Sequence, residues 1–192
     1  MPQQINQYYQ NLGIALPQEE INTITRLATQ VSFKKKQFLF EIDQTDTCIY
    51  FVIKGAVRVF IKDQNQNEYN RYFAFDNSWI GEYHQILNNF SSRTSAQAIQ
   101  TTDAFKLKKD DFAIIFDKCP IYTKVLLNQY LKISIELLEK EELKKILTIE
   151  ELYLDLVKNE PEILEKMPLY HIASYLGVKP ESLSSVKKKF KE

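Results

Sequence analysis

The chain has 192 residues, 25 Lys and Arg balanced by 25 Asp and Glu, and a hydrophobic fraction of 44%. That fraction excludes an intrinsically disordered chain, and two cysteines, Cys48 and Cys119, exclude a disulfide framework or a four-thiolate metal site. The N-terminus lacks the basic region and apolar core of a signal peptide, and no apolar run approaches the roughly 20 residues of a membrane span, so a cytoplasmic protein with no membrane partner is expected.

The first 30 or so residues predict one amphipathic helix. Ile21, Ile24, Leu27, Ala28 and Val31 recur at helical spacing, and Pro17 suits a first-turn position. From about residue 31 to 116 the texture changes to β structure. The runs 48–53 and 56–61 flank Lys54-Gly55, which predicts a hairpin. A polar turn at 63–67 leads to a strand over 69–75, broken by Asp76-Asn77-Ser78. Strands over 94–100 and 104–107 and a short helix over about 110–116 follow. Short strands spaced by about ten residues point to a sandwich, roll or barrel.

The rest reads as helical. A long helix is predicted from Pro120 to about Lys145, with Leu127, Leu131, Ile135 and Leu138 on one face and Leu126, Tyr130, Ile133 and Leu137 on the next. A stripe this wide can cover a domain core and a partner helix at once. Thr148-Ile149-Glu150-Glu151 has the spacing of a capping box, which starts a new helix, and Pro161 ends that segment.

Residues 169–186 have the grammar of a helix-turn-helix. Ile172, Ala173 and Leu176 form an inner face, and Ala173 is small enough for close approach of a second helix. Gly177 stands where the first helix must stop with a positive φ. Val178 fills the turn, Pro180 opens the second helix, and Leu183 and Val186 return to the core. On DNA, the N-terminal part of such a second helix enters the major groove. Lys179, Glu181, Ser182 and Ser185 are then the candidate base readers, and Lys187, Lys188 and Lys189 the candidate phosphate contacts. The zero net charge conceals a polarity that fits this. From 136 to 166 there are ten acids against five bases, and from 168 to 192 five lysines against two glutamates.

A β-rich domain, a long helix and a terminal helix-turn-helix together resemble the CRP/FNR family of bacterial transcription regulators. The hairpin run 50–60 and Trp79-Ile80-Gly81-Glu82 resemble the family's cyclic-nucleotide-binding-like fold, and the ending 167–184 resembles its Bacteroidetes branch. The resemblance implies an α+β chain in three parts. These are an N-terminal β-roll (a double-stranded β-helix) as sensor over 1–118, a long dimerisation helix over 119–146, and an all-α DNA-binding domain over 147–192. It further implies a homodimer on double-stranded DNA, an effector in the β-roll, and RNA polymerase as a further partner. Gly81, Glu82, Arg93 and Thr94 match the family's phosphate cassette, in which the Glu takes a ribose hydroxyl and the Arg the cyclic phosphate.

The chain departs from the family in several places. Ser185 stands where an arginine is frequent, and the cysteine cluster of the iron-sulfur members is missing. The segment between Glu82 and Arg93 is long for a cAMP binder. An ungapped alignment back from Phe112 places Ser92, not Arg93, at the arginine position, and carried forward it puts Leu137 and Leu138 where cAMP binders have a base-contacting Thr-Ser pair. The effector is therefore left open, with a cyclic nucleotide as one candidate. A second reading is a ligand sensor whose helical C-terminus binds protein rather than DNA. A cupin-type metal enzyme would need several inward histidines or carboxylates, whereas His84 alone lies in the β region and His171 lies in the helix-turn-helix. No catalytic residue and no metal ligand is assigned.

Overall fold

The computed structural model describes residues 2–44, 48–82 and 91–190, so His84 lies outside the described residues. Two helices, α1 (Pro2–Asn11) and α2 (Gln18–Leu27), precede strands β1 (Thr29–Phe33), β2 (Phe38–Phe40), β3 (Cys48–Lys54), β4 (Val57–Lys62), β5 (Glu68–Ala74), β6 (Ser78–Gly81), β7 (Ser95–Ala98) and β8 (Thr102–Lys108). Helices α3 (Lys109–Lys118), α4 (Pro120–Ile146), α5 (Ile149–Asn159), α6 (Pro161–Lys166), α7 (Leu169–Leu176) and α8 (Pro180–Lys189) complete the chain. No helix among the described residues is long and apolar enough to cross a membrane.

The strands form two four-stranded sheets, in the orders β1-β8-β3-β6 and β2-β7-β4-β5. This corrects the hairpin expected at Lys54-Gly55. β3 pairs with β6 and β8, while β4 belongs to the other sheet, so Gly55 carries the chain from one sheet to the other. Its φ of 141° is closed to residues with a side chain, and an added Cβ would lie 2.4 Å from the Thr102 hydroxyl. A run of β-formers around a glycine signals a reversal, but not whether the strands on its two sides pair.

Two expectations for the N-terminal region are also corrected. It holds two helices, and the first was not expected because, among the described side chains of α1, only Ile5 and Tyr9 are buried apolar residues in a Gln- and Asn-rich sequence, too few to show a period. Val31 belongs to β1, opposite Ala104, because the extended backbone of Ala28 ends α2 first. Elsewhere the expected elements are present. The Thr148–Glu151 capping box closes in both directions, with the Thr148 amide donating to the Glu151 carboxylate at 2.8 Å. These bonds to Thr148 hold the Glu151 carboxyl below the usual carboxylate range.

The chain divides into two compact units, residues 1–59 with 74–130, and residues 60–73 with 131–192. The first has a core of Tyr9, Ile24, Ile49, Phe51, Trp79, Phe105, Leu107, Ile115 and Tyr122. Within it, the Trp79 indole donates to the Tyr9 hydroxyl at 3.1 Å, which donates in turn to Gln129 of α4. The second contains the polar turn between β4 and β5, wound around Asp63, whose carboxylate accepts from the amides of Asn65 and Asn67. It also contains a helical core of Leu152, Leu156, Ile163, Ile172, Ala173, Leu176 and Leu183.

Candidate functional site

The helix-turn-helix is built as its residues demand. α7 ends at Gly177, whose φ of 71° and ψ of 27° are left-handed, and the Val178 amide returns to the Ala173 carbonyl at 3.0 Å. Pro180 is the first residue of α8, where its missing N–H costs nothing. Ala173 and Leu183 are fully buried and Val186 nearly so, which fixes one side of α8 to the core. The opposite side carries Glu181, Ser185 and Lys188, all exposed and spaced i, i+4, i+7 on one face.

The sequence-predicted contact residues are not equivalent in this setting. Lys179, Glu181, Ser185, Lys188 and Lys189 are exposed, while Ser182 and Lys187 are half-buried. The Ser185 hydroxyl donates to the Glu181 carbonyl at 3.0 Å, one turn back in the same helix. Lys189 reaches Glu150 at the start of α5 at 2.8 Å, so part of its charge is met by a surface carboxylate of the same chain. Lys188 is the member of the lysine run that shares the Glu181–Ser185 face and is exposed.

The long helix α4 changes character along its length. Near its start Tyr122, Val125 and Leu126 are buried. Its first turn is held by a residue that the sequence reading passed over. Glu20, on α2 and itself buried, accepts from the amides of Ile121 at 3.2 Å and Tyr122 at 2.8 Å. A carboxylate there satisfies otherwise orphaned helix N–H groups and meets the positive end of the helix dipole. No local pattern reveals this contact, because the partners are about 100 residues apart. Further along, Leu127, Leu131, Ile135 and Leu138 lie between 49% and 67% exposed. Four large apolar side chains in one stripe, each about half or more in water, make an exposed apolar face on this single chain.

In the candidate phosphate cassette, Glu82 and Thr94 are brought together, the Thr94 hydroxyl donating to the Glu82 carboxylate at 2.6 Å. Arg93 is not part of that pair. Ser92 and Thr94 are buried and Arg93, at the bend between them, is exposed. Ser92 is also occupied locally, donating to the Thr94 carbonyl at 2.6 Å. Gly81 serves the sheet, since a Cβ there would sit 2.6 Å from the Ile49 side chain on the paired strand. Among the described residues, no group of three His, Cys, Asp or Glu side chains could hold a metal ion.

Comparison with known proteins agrees with this architecture. A family model described as cyclic nucleotide-binding domain matches residues 30–119. No curated protein matches the chain in sequence. Among solved structures, FixK2 of Bradyrhizobium japonicum is similar with a TM-score of 0.73 at 18% identity, over 85% of this chain and 84% of that one. CLP of Xanthomonas campestris, a c-di-GMP responsive global regulator, has a TM-score of 0.70 at 15% identity over 90% of each chain. A catabolite activator protein of Thermus thermophilus has a TM-score of 0.54 at 17% identity, over 96% of this chain and 86% of that one. Residues 30–119 thus match the cyclic nucleotide-binding domain, and the chain shares the α+β fold of CRP/FNR-type transcription regulators.

Proposed function

We propose that this chain is a homodimeric DNA-binding transcription regulator rather than an enzyme. Its α8 reads the major groove, and its sensor domain takes a small-molecule effector. The observation that carries the reading is the pair α7–α8. A left-handed Gly177, a proline-started second helix and a buried Leu183 present Glu181, Ser185 and Lys188 outward on one face. Glu181 is chemically suited to accept from a cytosine amino group, Ser185 to permissive contacts and Lys179 to donate to a base-edge acceptor, while Lys188 supplies charge for phosphates. With few cations on one tip, specific binding needs two tips on one site. The Leu127–Leu138 stripe of α4 is the face on which a second copy pairs, by heptad-like packing of apolar side chains.

For the effector, the geometry supports a hydroxyl-bearing ligand at Glu82, whose carboxylate already holds the Thr94 hydroxyl. It gives less support to a cyclic phosphate bound by Arg93, which is exposed. A dimeric regulator of this type meets RNA polymerase as its onward partner.

The test is selection of bound fragments from a random genomic library at low salt, with oligomeric state measured by light scattering. The expected result is a dimer that retains fragments with two half-sites about one helical turn apart, roughly 34–36 Å centre to centre. Affinity should fall steeply with added salt. A folded dimer that retains no sequence would overturn the reading. Leu131→Asp with Leu138→Asp is expected to give a folded monomer with at least a tenfold loss of DNA affinity.

A further inference from the structure

Strand β5 lies at the outer edge of its sheet, in the order β2-β7-β4-β5. An edge strand exposes alternate N–H and C=O groups that a neighbouring strand would engage. On β5 those of Glu68 and Asn70 are engaged by one side chain of α7. The Ser174 hydroxyl donates to the Glu68 carbonyl at 3.0 Å and accepts from the Asn70 amide at 3.1 Å. It thus fills both hydrogen-bond roles that a paired strand residue would.

Two further contacts close the junction. The buried Asn70 side chain donates to the His171 carbonyl at 3.0 Å, and the same nitrogen lies 3.3 Å from the His171 ring. The Phe73 ring packs on Tyr175 with centroids 5.2 Å apart. On α4, Lys144 stands 4.3 Å over that same Tyr175 ring and bonds Glu141 at 2.7 Å. Burial, with the carboxylates Glu160, Glu141 and Asp155 nearby, pushes the Tyr175 phenol up, so the ring stays neutral under the lysine.

The contacts grip α7 at His171, Ser174 and Tyr175, and α8 follows from α7 after the three-residue turn 177–179. They leave Glu181, Ser185 and Lys188 exposed. We propose that the β5 edge is a clasp that pre-sets α7, and through it α8, for DNA, with Asn70 and Ser174 as positioning residues. This rests on the DNA-binding reading. Ordering a helix before DNA arrives removes an entropic cost from the binding step, which is why losing the clasp weakens binding without removing any contact to DNA.

The experiment uses full-length protein and a DNA duplex selected by the wild type. Affinity is read by fluorescence anisotropy at several salt concentrations, with amide hydrogen exchange followed alongside. Ser174→Ala and Asn70→Ala are each expected to weaken binding about tenfold, the size of losing hydrogen bonds that include buried partners. Ser174→Thr keeps the hydroxyl and restores affinity to within about twofold. The slope of log affinity against log salt stays at the wild-type value, because no phosphate contact is lost. The α7 amides exchange faster in Ser174→Ala, and the double variant loses little more than either single one, as members of one junction do.

Unchanged or tighter DNA binding by Ser174→Ala would overturn the proposal, as would a reduced salt slope, which would place Ser174 in the DNA contact itself. A wild-type dimer that binds no DNA would defeat the regulator reading. The α7 exchange then decides the clasp by itself: faster exchange in Ser174→Ala supports it and unchanged exchange overturns it.

Discussion

Gly177 and Gly81 stand in the two candidate sites, and each is glycine for a different reason. At Gly177 the backbone is left-handed, with φ of 71°, and an added Cβ would meet nothing within 4 Å. At Gly81 the conformation is ordinary, but an added Cβ would strike Ile49 at 2.6 Å. The first constraint lies within a few residues of chain. The second depends on a strand 32 residues away in register. The same contrast runs through both sites: the helix-turn-helix is assembled from short-range rules, the cassette from contacts between separate segments.

The largest effect expected from breaking this contrast is at Gly81. Gly81→Ala forces a methyl group into a packed strand pair, so β3 or β6 must shift, at a cost of about 2 kcal/mol in denaturant unfolding. A cost below about 0.5 kcal/mol would mean that the sheet yields easily there and that Gly81 is kept for ligand access. Next comes Lys188→Ala. Removing a cation from the exposed face of α8 on both protomers should weaken DNA binding about tenfold and lower the salt slope by roughly two, one per protomer. Lys189→Ala should lower it less, because Lys189 is partnered by Glu150. Equal slopes for the two variants would erase the distinction between them. Gly177→Ala follows at about 1 kcal/mol, the cost of a left-handed residue with a side chain and open space around it.

The short-range rules explain which parts of the molecule were legible in the sequence. Gly177, Pro180, Ala173 and Leu183 each announce their role within one or two helical turns, and α7 and α8 form accordingly. The Thr148–Glu151 box is equally local. The apolar stripe of α4 was visible as periodicity, but periodicity does not say what covers a face. Val125 and Leu126 turn out buried while Leu127 and Leu131 are bare. Three features were invisible for the opposite reason. The sheet change at Gly55, the Glu20 carboxylate on the first turn of α4, and the bond from the Asn70 amide to the Ser174 hydroxyl all join residues whose proximity only the assembled topology creates. In the cassette, all four residue types are present in the right order, yet which of them face inward is decided by the local bend at 92–94, where a shift of one residue would invert the answer.

Arg93 is where that inversion is tested, with the smallest expected effect. Its exposed position between buried Ser92 and Thr94 predicts that Arg93→Ala leaves folding unchanged. Calorimetric titration with cyclic AMP should then give the same isotherm for wild type and variant, since an exposed guanidinium contributes little to holding an anion in water. Glu82→Gln, by contrast, removes the charge that the Thr94 hydroxyl meets at 2.6 Å and should alter any effector response that passes through this pair. If wild type binds the nucleotide and Arg93→Ala abolishes it, the segment around 92–94 must turn over by one residue on binding, bringing the guanidinium inward and expelling its neighbours. That outcome would make register itself the switch of this domain.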